Sequence, residues 1–153
     1  MRGCLLRFRG GARRILTLVL ALAPLLCADS ESAIVRGWKL FSGVEALTGT
    51  IVGHKAALPP AAVRCSNCHV PGDAPAQPSL GPRLDRSTLL DPQKRRGAPP
   101  SAYDQRRFCR ILRTGVDPAY VVIASEMPRY EMDDAQCGSL WLYLTDPQGG
   151  GTQ

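Results

Sequence analysis

Aromatic residues and histidines are scarce in this chain, which has three Phe, two Trp, four Tyr and two His among 153 residues. The sequence also has no Ser/His/Asp group, no carboxylate pair and no glycine-rich phosphate loop at a meaningful spacing. A polypeptide uses such arrangements to build a catalytic site without a redox cofactor. The chain therefore gives no indication of an enzyme that works through its own side chains alone.

The first 28 residues lack acidic side chains, and the first carboxylate in the chain is that of Asp29. Five arginines are spread over its first 14 residues, and the apolar run 15–26 follows. This composition is typical of a secretory signal peptide. A membrane-spanning helix needs roughly 20 apolar residues, which is more than this run offers. We therefore predict that residues 1–28 are a cleaved leader and that the protein is exported to the periplasm.

The predicted cleavage site follows Ala28. Ala28 is small, whereas a cut after Ala23 would place Pro24 just beyond the bond. Cys27 raises the alternative of a lipoprotein, but Leu26 is bulkier than the residue that normally precedes a lipidated cysteine. Membrane attachment is therefore expected only if the leader is retained or Cys27 is lipidated.

The leader accounts for the basic character of the chain. Five of the 19 Lys and Arg residues lie in it, which leaves 14 against all 13 acidic residues and a mature net charge of +1 rather than +6. So small a net charge gives no reason to expect a nucleic-acid partner. Removing 28 of the 153 residues leaves 125, enough for one small domain with a single core. We place this domain at 29–145 and a flexible tail at 146–153.

The densest cluster of reactive side chains is the C-x-x-C-H motif formed by Cys65, Cys68 and His69. In this pattern the two thiols can add to the vinyl groups of a haem, and the adjacent imidazole can ligate its iron. A tetrahedral zinc site would need two further Cys or His ligands at workable spacing, and His54 lies in a glycine-rich segment typical of a solvated surface. We therefore predict one covalently attached haem c per chain, with His69 as an iron ligand.

Periodicity and capping residues predict helices over 32–41, from Ser101 to Gly115 and after Asp133, and a short helix at 61–64 leading into the motif. The glycines and β-branched residues of 42–58 indicate a loop with a short strand or hairpin. The proline-rich stretch 70–100 is expected to be a long loop packed on the haem. Its basic cluster at 94–96 is interpreted as a solvated face, with docking to an acidic partner as the alternative.

Four features, in this order, resemble the single-haem class I c-type cytochromes. They are the C-x-x-C-H motif, Gly-Pro-Arg-Leu at 81–84, Met-Pro-Arg-Tyr at 127–130, and a last helix with Leu140, Tyr143 and Leu144. The resemblance covers most of residues 63–145. It implies an all-α, cytochrome c-like fold, in which helices and long loops surround one covalently bound haem, with a short β-hairpin allowed before the motif.

One departure from this family lies just before the motif. In the simplest members the helix with a glycine and an aromatic residue runs straight into the motif, whereas here residues 42–64 intervene. Whether Gly37 and Phe41 occupy the crossing with the last helix therefore stays open.

The resemblance also implies the second iron ligand. In such cytochromes the methionine before a proline ligates the iron, which implies Met127 opposite His69. Met132 is the alternative ligand. For either methionine, the alternative is that its side chain only packs in the core and does not bind iron.

The Gly-Pro-x-Leu similarity implies that the carbonyl of Pro82 accepts the Nδ1 proton of His69. A bond of that kind would orient the imidazole and strengthen its donation to iron. Pro78 is the competing acceptor. The same similarity places Leu84 among the residues that contact the cofactor.

Cys109 and Cys137 lie outside the motif. They are either two unpaired buried thiols or a disulfide between the last two long helices, and export to an oxidising compartment favours the disulfide. The loop that such a bond would close contains Met127. We therefore hypothesise that the bond restrains the segment that carries the second ligand.

Together these features predict a periplasmic electron carrier rather than an enzyme, since a haem with both axial positions filled leaves no site for substrate. Its expected partners are periplasmic redox proteins. Two alternatives stay open. The chain could be the electron-accepting haem c subunit of a dehydrogenase or oxidase complex, or a gas-binding sensor or peroxidase-like protein whose distal ligand can be displaced.

Overall fold

The computed structural model describes residues 28–71 and 80–146. The predicted leader, apart from Ala28, and the predicted tail, apart from Asp146, lie outside these ranges. The chain divides into two compact units, residues 1–31 and residues 32–153, and the site discussed below lies in the second. Within the described ranges no helix combines the length and the apolar character needed to cross a membrane.

The described part of the chain contains four helices, a short 3-10 turn and two strands. The helices are α1 (Ala28–Ser42), α2 (Arg86–Leu90), α3 (Gln105–Thr114) and α4 (Asp134–Thr145), the turn is Cys65–Asn67, and the strands are β1 (Thr48–Thr50) and β2 (Arg129–Glu131).

The two strands show that the predicted all-α, cytochrome c-like fold is wrong. β1 and β2 pair in an antiparallel sheet in which Gly49 lies opposite Tyr130, so the fold is mixed and is not clearly that of a cytochrome c. Of the short strand or hairpin predicted within 42–58, the strand is present as β1, but the hairpin is not, because β1 pairs with a strand about 80 residues further along the chain. Alternation and turn residues identify a strand but do not identify a distant partner.

Side-chain caps set the starts of α3 and α4. The carboxylate of Asp104, rather than the predicted Ser101, accepts the backbone N–H of Arg107 at 2.7 Å, and Gly115 ends α3 with a φ of 73°. Asp133 caps α4 in a reciprocal capping box with Gln136, as predicted. Glycine suits the C-terminal position of α3 because it has no Cβ to oppose the left-handed backbone.

Helices α1 and α4 cross at Gly37. A Cβ atom on Gly37 would overlap the carbonyl oxygen of Ser139 and lie 2.5 Å from Cβ of Tyr143. One turn further along α1, the Phe41 and Tyr143 rings lie 5.7 Å apart between centroids. The bare backbone of Gly37 thus lets the helices approach closely. Gly37 and Phe41 therefore do occupy the crossing with the last helix, a point that the sequence left open.

A disulfide joins α3 to α4 through Cys109 and Cys137, whose Cα atoms are 5.8 Å apart. This confirms the predicted pairing, and the bond is compatible with an oxidising compartment. The core around it is formed mainly by buried side chains of α1, α3 and α4, among them Leu40, Phe41, Phe108, Ile111, Leu112, Leu140 and Leu144. The disulfide therefore fixes the two helices on either side of the segment that contains Met127.

Candidate functional site

The C-x-x-C-H motif is folded as a tight turn. The backbone N–H groups of Cys68 and His69 both donate to the carbonyl of Cys65, at 3.1 and 2.9 Å. The predicted helix over 61–64 is wrong, since these residues form turns closed by a hydrogen bond from Ala62 to Pro59. The side chain of Asn67 donates to the carbonyl of Ala61 at 2.8 Å and ties the motif to the preceding turn.

The two thiols of the motif are free, whereas the other two cysteines of the described residues are joined in a disulfide. Cys65 is buried and Cys68 is half-buried. Burial raises the pKa of the Cys65 thiol to about 11, against the opposing effect of the Tyr130 hydroxyl. Dithiol oxidoreductases rely on a thiol with a lowered pKa, and the shift at Cys65 has the opposite direction.

The imidazole of His69 is held by the segment that follows the motif. Its Nδ1 atom lies 2.7 Å from the carbonyl oxygen of Pro82, and the N–H of Gly81 donates to the carbonyl of Cys68 at 2.8 Å. A Cβ atom on Gly81 would lie 2.6 Å from Nδ1 of His69. The predicted hydrogen bond is therefore present, with Pro82 as its acceptor, while the competing candidate Pro78 lies outside the described residues.

This hydrogen bond selects the tautomer of His69. Because a carbonyl can only accept, Nδ1 carries the proton and Nε2 keeps its lone pair. Burial lowers the pKa of His69, and the bond to Pro82 opposes this shift only in part. The neutral ring has the form that a metal ion requires of a histidine ligand.

The backbone of Leu84 lies beside the residues that directly follow the motif. Its backbone N–H donates to the carbonyl of Val70 at 3.0 Å, and it forms an isolated parallel bridge with Pro71. Its half-buried side chain packs against the core. The structure thus brings the 81–84 segment together with the motif, and the role of Leu84 as a cofactor contact stays a prediction.

The two candidate methionines, Met127 and Met132, lie on either side of β2. Both are half-buried against the core, so burial does not distinguish them. The carbonyl of Met127 accepts a hydrogen bond of 2.5 Å from the guanidinium of Arg129, and the carbonyl of Met132 accepts one of 3.2 Å from Arg113. Met127 begins the Met-Pro-Arg-Tyr segment, which makes the closer connections to the motif.

Tyr130 joins the Met127 segment to the motif, a role that the sequence did not identify. Its buried hydroxyl donates to the carbonyl of Val63 at 3.0 Å, and it also interacts with the thiol of Cys65. The sequence Met-Pro-Arg-Tyr could have drawn attention to this residue, because the tyrosine follows the predicted ligand by three positions. What it could not reveal was the partner, which is 67 residues away.

Arg129 is the other residue of this segment that the sequence left unassigned. Its guanidinium covers the backbone of Gly115, at the end of α3, and burial lowers its pKa. Its Nε atom makes no hydrogen bond within the described residues. Arg129 therefore anchors the Met127 carbonyl to the end of α3.

In the basic cluster at 94–96, Lys94 and Arg96 are exposed, as predicted for a solvated face, whereas Arg95 is half-buried. Arg95 lies over the ring of Tyr103, 4.7 Å from its centroid, and donates to the carbonyl of Thr88 at 2.8 Å. Arg96 donates to the carbonyl of Val122 at 3.4 Å. Two of the three cations of this cluster therefore serve local structure.

His54 is exposed, as predicted for a solvated residue. No group of three or more His, Cys, Asp or Glu side chains that could hold a metal ion occurs in the ranges 28–71 and 80–146. A haem would need only axial side chains from the protein, since the porphyrin supplies the other donors. Comparisons of the chain with protein-family models, with curated proteins and with solved structures found no match.

Proposed function

We propose that this protein carries single electrons between redox partners in the periplasm, through one haem c attached at Cys65 and Cys68. One contact supports this most directly: Nδ1 of His69 lies 2.7 Å from the carbonyl of Pro82. That bond directs the lone pair of Nε2 away from the protein carbonyl and makes it available to a metal. The imidazole so oriented comes directly after two free thiols at the spacing that thioether attachment needs.

The donor set fits a haem. The free thiols of Cys65 and Cys68 would hold the group by thioether bonds, and His69 and Met127 would be its axial ligands, with Met132 as the alternative to Met127. A haem with a His/Met ligand pair supplies one-electron chemistry at a comparatively high potential. No substrate would have a free coordination position, which makes the protein a carrier rather than an enzyme.

The protein's own part is to hold these groups and tune their electronic properties. The bond from His69 to Pro82 makes the imidazole a stronger donor. Within the segment 127–130, Arg129 packs on Gly115 at the end of α3, and Tyr130 bonds to Val63 and interacts with Cys65 of the motif. These restraints would hold the ligand side chains in place when a haem is bound, and the haem itself would supply the one-electron chemistry.

A pyridine haemochrome assay on the full chain, matured in a host that attaches haem c, tests the covalent attachment. We expect one haem per chain with the spectrum of two thioether links, and loss of attachment in Cys65→Ala/Cys68→Ala. The matched control is Cys109→Ala/Cys137→Ala, which removes two cysteines outside the motif. A wild-type chain without covalent haem would overturn the proposal.

The axial ligands are tested by substitution of each methionine. Met127→Leu should remove the far-red methionine-to-iron absorption band, whereas Met132→Leu, the matched control, should leave it unchanged. Carbon monoxide should bind slowly to the reduced wild-type protein and rapidly to Met127→Leu. Rapid binding by the wild type would reject the closed carrier and favour the gas-binding or peroxidase-like alternative.

The alternative, in which the chain is a haem c subunit of a dehydrogenase or oxidase complex, is supported only by exposed apolar side chains near β1. Val44 and Val52, on either side of β1, have 64% and 54% of their surface exposed. Two exposed valines are a small apolar area compared with a stable interface. Purification of the chain with a second subunit in stoichiometric amount would favour this alternative over the free carrier.

A further inference from the structure

We propose that the insertion, residues 42–64, is a positioning element that holds the Met127 segment against the C-x-x-C-H motif. This inference rests on the proposed function, because it assigns a role toward the second axial ligand. The insertion contains the strand β1 and, near its end, Val63, which lies two positions before Cys65. Both positions contact the segment that begins with Met127.

The first connection is the sheet. β1 pairs with β2 so that Thr50 lies opposite Arg129 and Gly49 opposite Tyr130. On its other side, the carbonyl of Gly49 accepts a hydrogen bond of 2.8 Å from Leu58. The strand is therefore fixed within the insertion while it holds the chain directly after Met127 and Pro128.

The second connection is the close packing at Gly49. A Cβ atom at this position would lie 3.1 Å from Cγ1 of Val63 and 3.2 Å from Cβ of Pro128. Gly49 thus lies between the residue that leads into the motif and the residue that follows Met127. A larger side chain there would push these two segments apart.

The third connection is the hydroxyl of Tyr130, which donates to the carbonyl of Val63 at 3.0 Å in a buried position. Both residues are almost fully buried, so water cannot replace the bond without local opening. Tyr130 belongs to β2 and Val63 to the insertion. The bond therefore closes a ring of contacts that runs from β1 through β2 to Val63.

These contacts make Gly49 and Tyr130 positioning residues. They act on Met127 through Pro128 and the β2 backbone, and neither is expected to ligate the cofactor. If the insertion holds the ligand segment, loosening the contacts should make the Met127 thioether easier to displace. A residue with only a structural role would lower the unfolding midpoint without changing the properties of the folded haem protein.

The test uses Tyr130→Phe and Gly49→Ala in the haem-loaded full chain. Tyr130→Phe removes one hydroxyl and keeps the ring, whereas Gly49→Ala adds one methyl group between Val63 and Pro128. Tyr120→Phe and His54→Gln are matched controls, because both residues are exposed and His54 lies in the insertion outside β1. The readouts are the reduction potential, the far-red band and the rate of carbon monoxide binding under native conditions.

We expect carbon monoxide to bind about five- to tenfold faster to Tyr130→Phe, the factor that corresponds to one lost hydrogen bond. Its potential should be lower than that of the wild type, because weaker methionine ligation removes the effect that raises the potential. Gly49→Ala should change both quantities in the same direction, and it provides the test if Tyr130→Phe does not fold. Both controls should match the wild type.

Two results would overturn the inference, and they differ in what they mean for the proposed function. A wild-type chain without haem would end both. A wild-type chain with haem and the far-red band, together with unchanged potential and carbon monoxide rate in Tyr130→Phe and Gly49→Ala, would end only the role assigned to the insertion.

Discussion

The Nδ1 atom of His69 lies 2.7 Å from the carbonyl oxygen of Pro82, 13 residues further along the chain. Gly81 makes this approach possible, since a Cβ atom there would lie 2.6 Å from the same nitrogen. The geometry of the predicted iron ligand therefore depends on the absence of a side chain at position 81.

Gly81→Ala should displace the His69 ring and weaken its bond to Pro82. Weaker donation from the imidazole favours the reduced state, so we expect the reduction potential of the haem-loaded protein to rise by tens of millivolts. Spectroelectrochemical titration measures this shift. The matched control is Gly138→Ala, where the new methyl group meets only the flexible end of Gln105, at 3.2 Å. A potential unchanged from the wild type would contradict the role of the Pro82 bond.

Removal of the disulfide by Cys109→Ala/Cys137→Ala should destabilise the protein by on the order of 3 to 4 kcal/mol in the chain-entropy model, since the two cysteines are 28 residues apart. Urea unfolding measures the loss. The far-red band should also disappear at a lower urea concentration than in the wild type, because the closed loop contains Met127. His54→Gln, an exposed substitution that keeps both cysteines, is the control, and unaltered midpoints for both signals in the double variant would contradict the hypothesis.

Gly37→Ala tests the crossing of α1 and α4. The added methyl group would overlap the backbone of Ser139, which cannot move as freely as a side chain, so we expect a loss of about 1–3 kcal/mol in the free energy of unfolding. Thermal or urea unfolding provides the measurement. Gly138→Ala, on α4 itself, should be neutral or slightly stabilising because alanine favours a helix more than glycine. Equal stability of the two variants would show that the helices do not approach as described.

The pair formed by Arg36 and Glu45 predicts a dependence of stability on pH. The guanidinium contacts the carboxylate at 2.8 Å, and this hydrogen bond, helped by Gln136, lowers the pKa of Glu45 below its ordinary value of 4.5. A carboxyl whose folded pKa is lowered adds stability above its unfolded pKa and loses that contribution as the pH falls through the folded pKa.

Glu45→Gln should therefore cost at most about 1 kcal/mol at pH 7, as for other partly exposed ion pairs. The difference from the wild type should shrink as the pH falls below 4.5. Urea unfolding at several pH values measures it, with Glu126→Gln at an exposed position as the control. A difference that grows toward low pH would contradict the assignment.

Several local features were predictable from neighbouring residues. Asp133 with Gln136 marks the start of α4, and Gly115 marks the end of α3, because a cap needs only groups within one turn. The start of α3 was placed too early, at Ser101, since Asp104 offers an equally suitable cap closer to the apolar stripe. The helix at 61–64 was also wrong, because two prolines and two alanines allow a helical turn without requiring one.

The mixed fold was not predictable in the same way. The strand at 48–50 is short, and its partner lies after Met127 and Pro128, in a segment that local patterns mark only as irregular. Pairing across about 80 residues depends on the tertiary fold that brings the two segments together. The resemblance to a helical family then favoured an all-α fold that the sheet contradicts.

The residue order alone determines the chemistry that this chain offers: two thiols and an imidazole within five positions, two further cysteines, and a methionine before a proline. Chemical identity and short spacing are properties of the covalent chain and need no folding. Tertiary structure decided which partners these and neighbouring groups have. It places Nδ1 of His69 against the carbonyl of Pro82, pairs Cys109 with Cys137, and brings the hydroxyl of Tyr130 to the carbonyl of Val63. Each of these contacts joins residues that are not neighbours in the sequence, so only folding of the chain brings them within bonding distance.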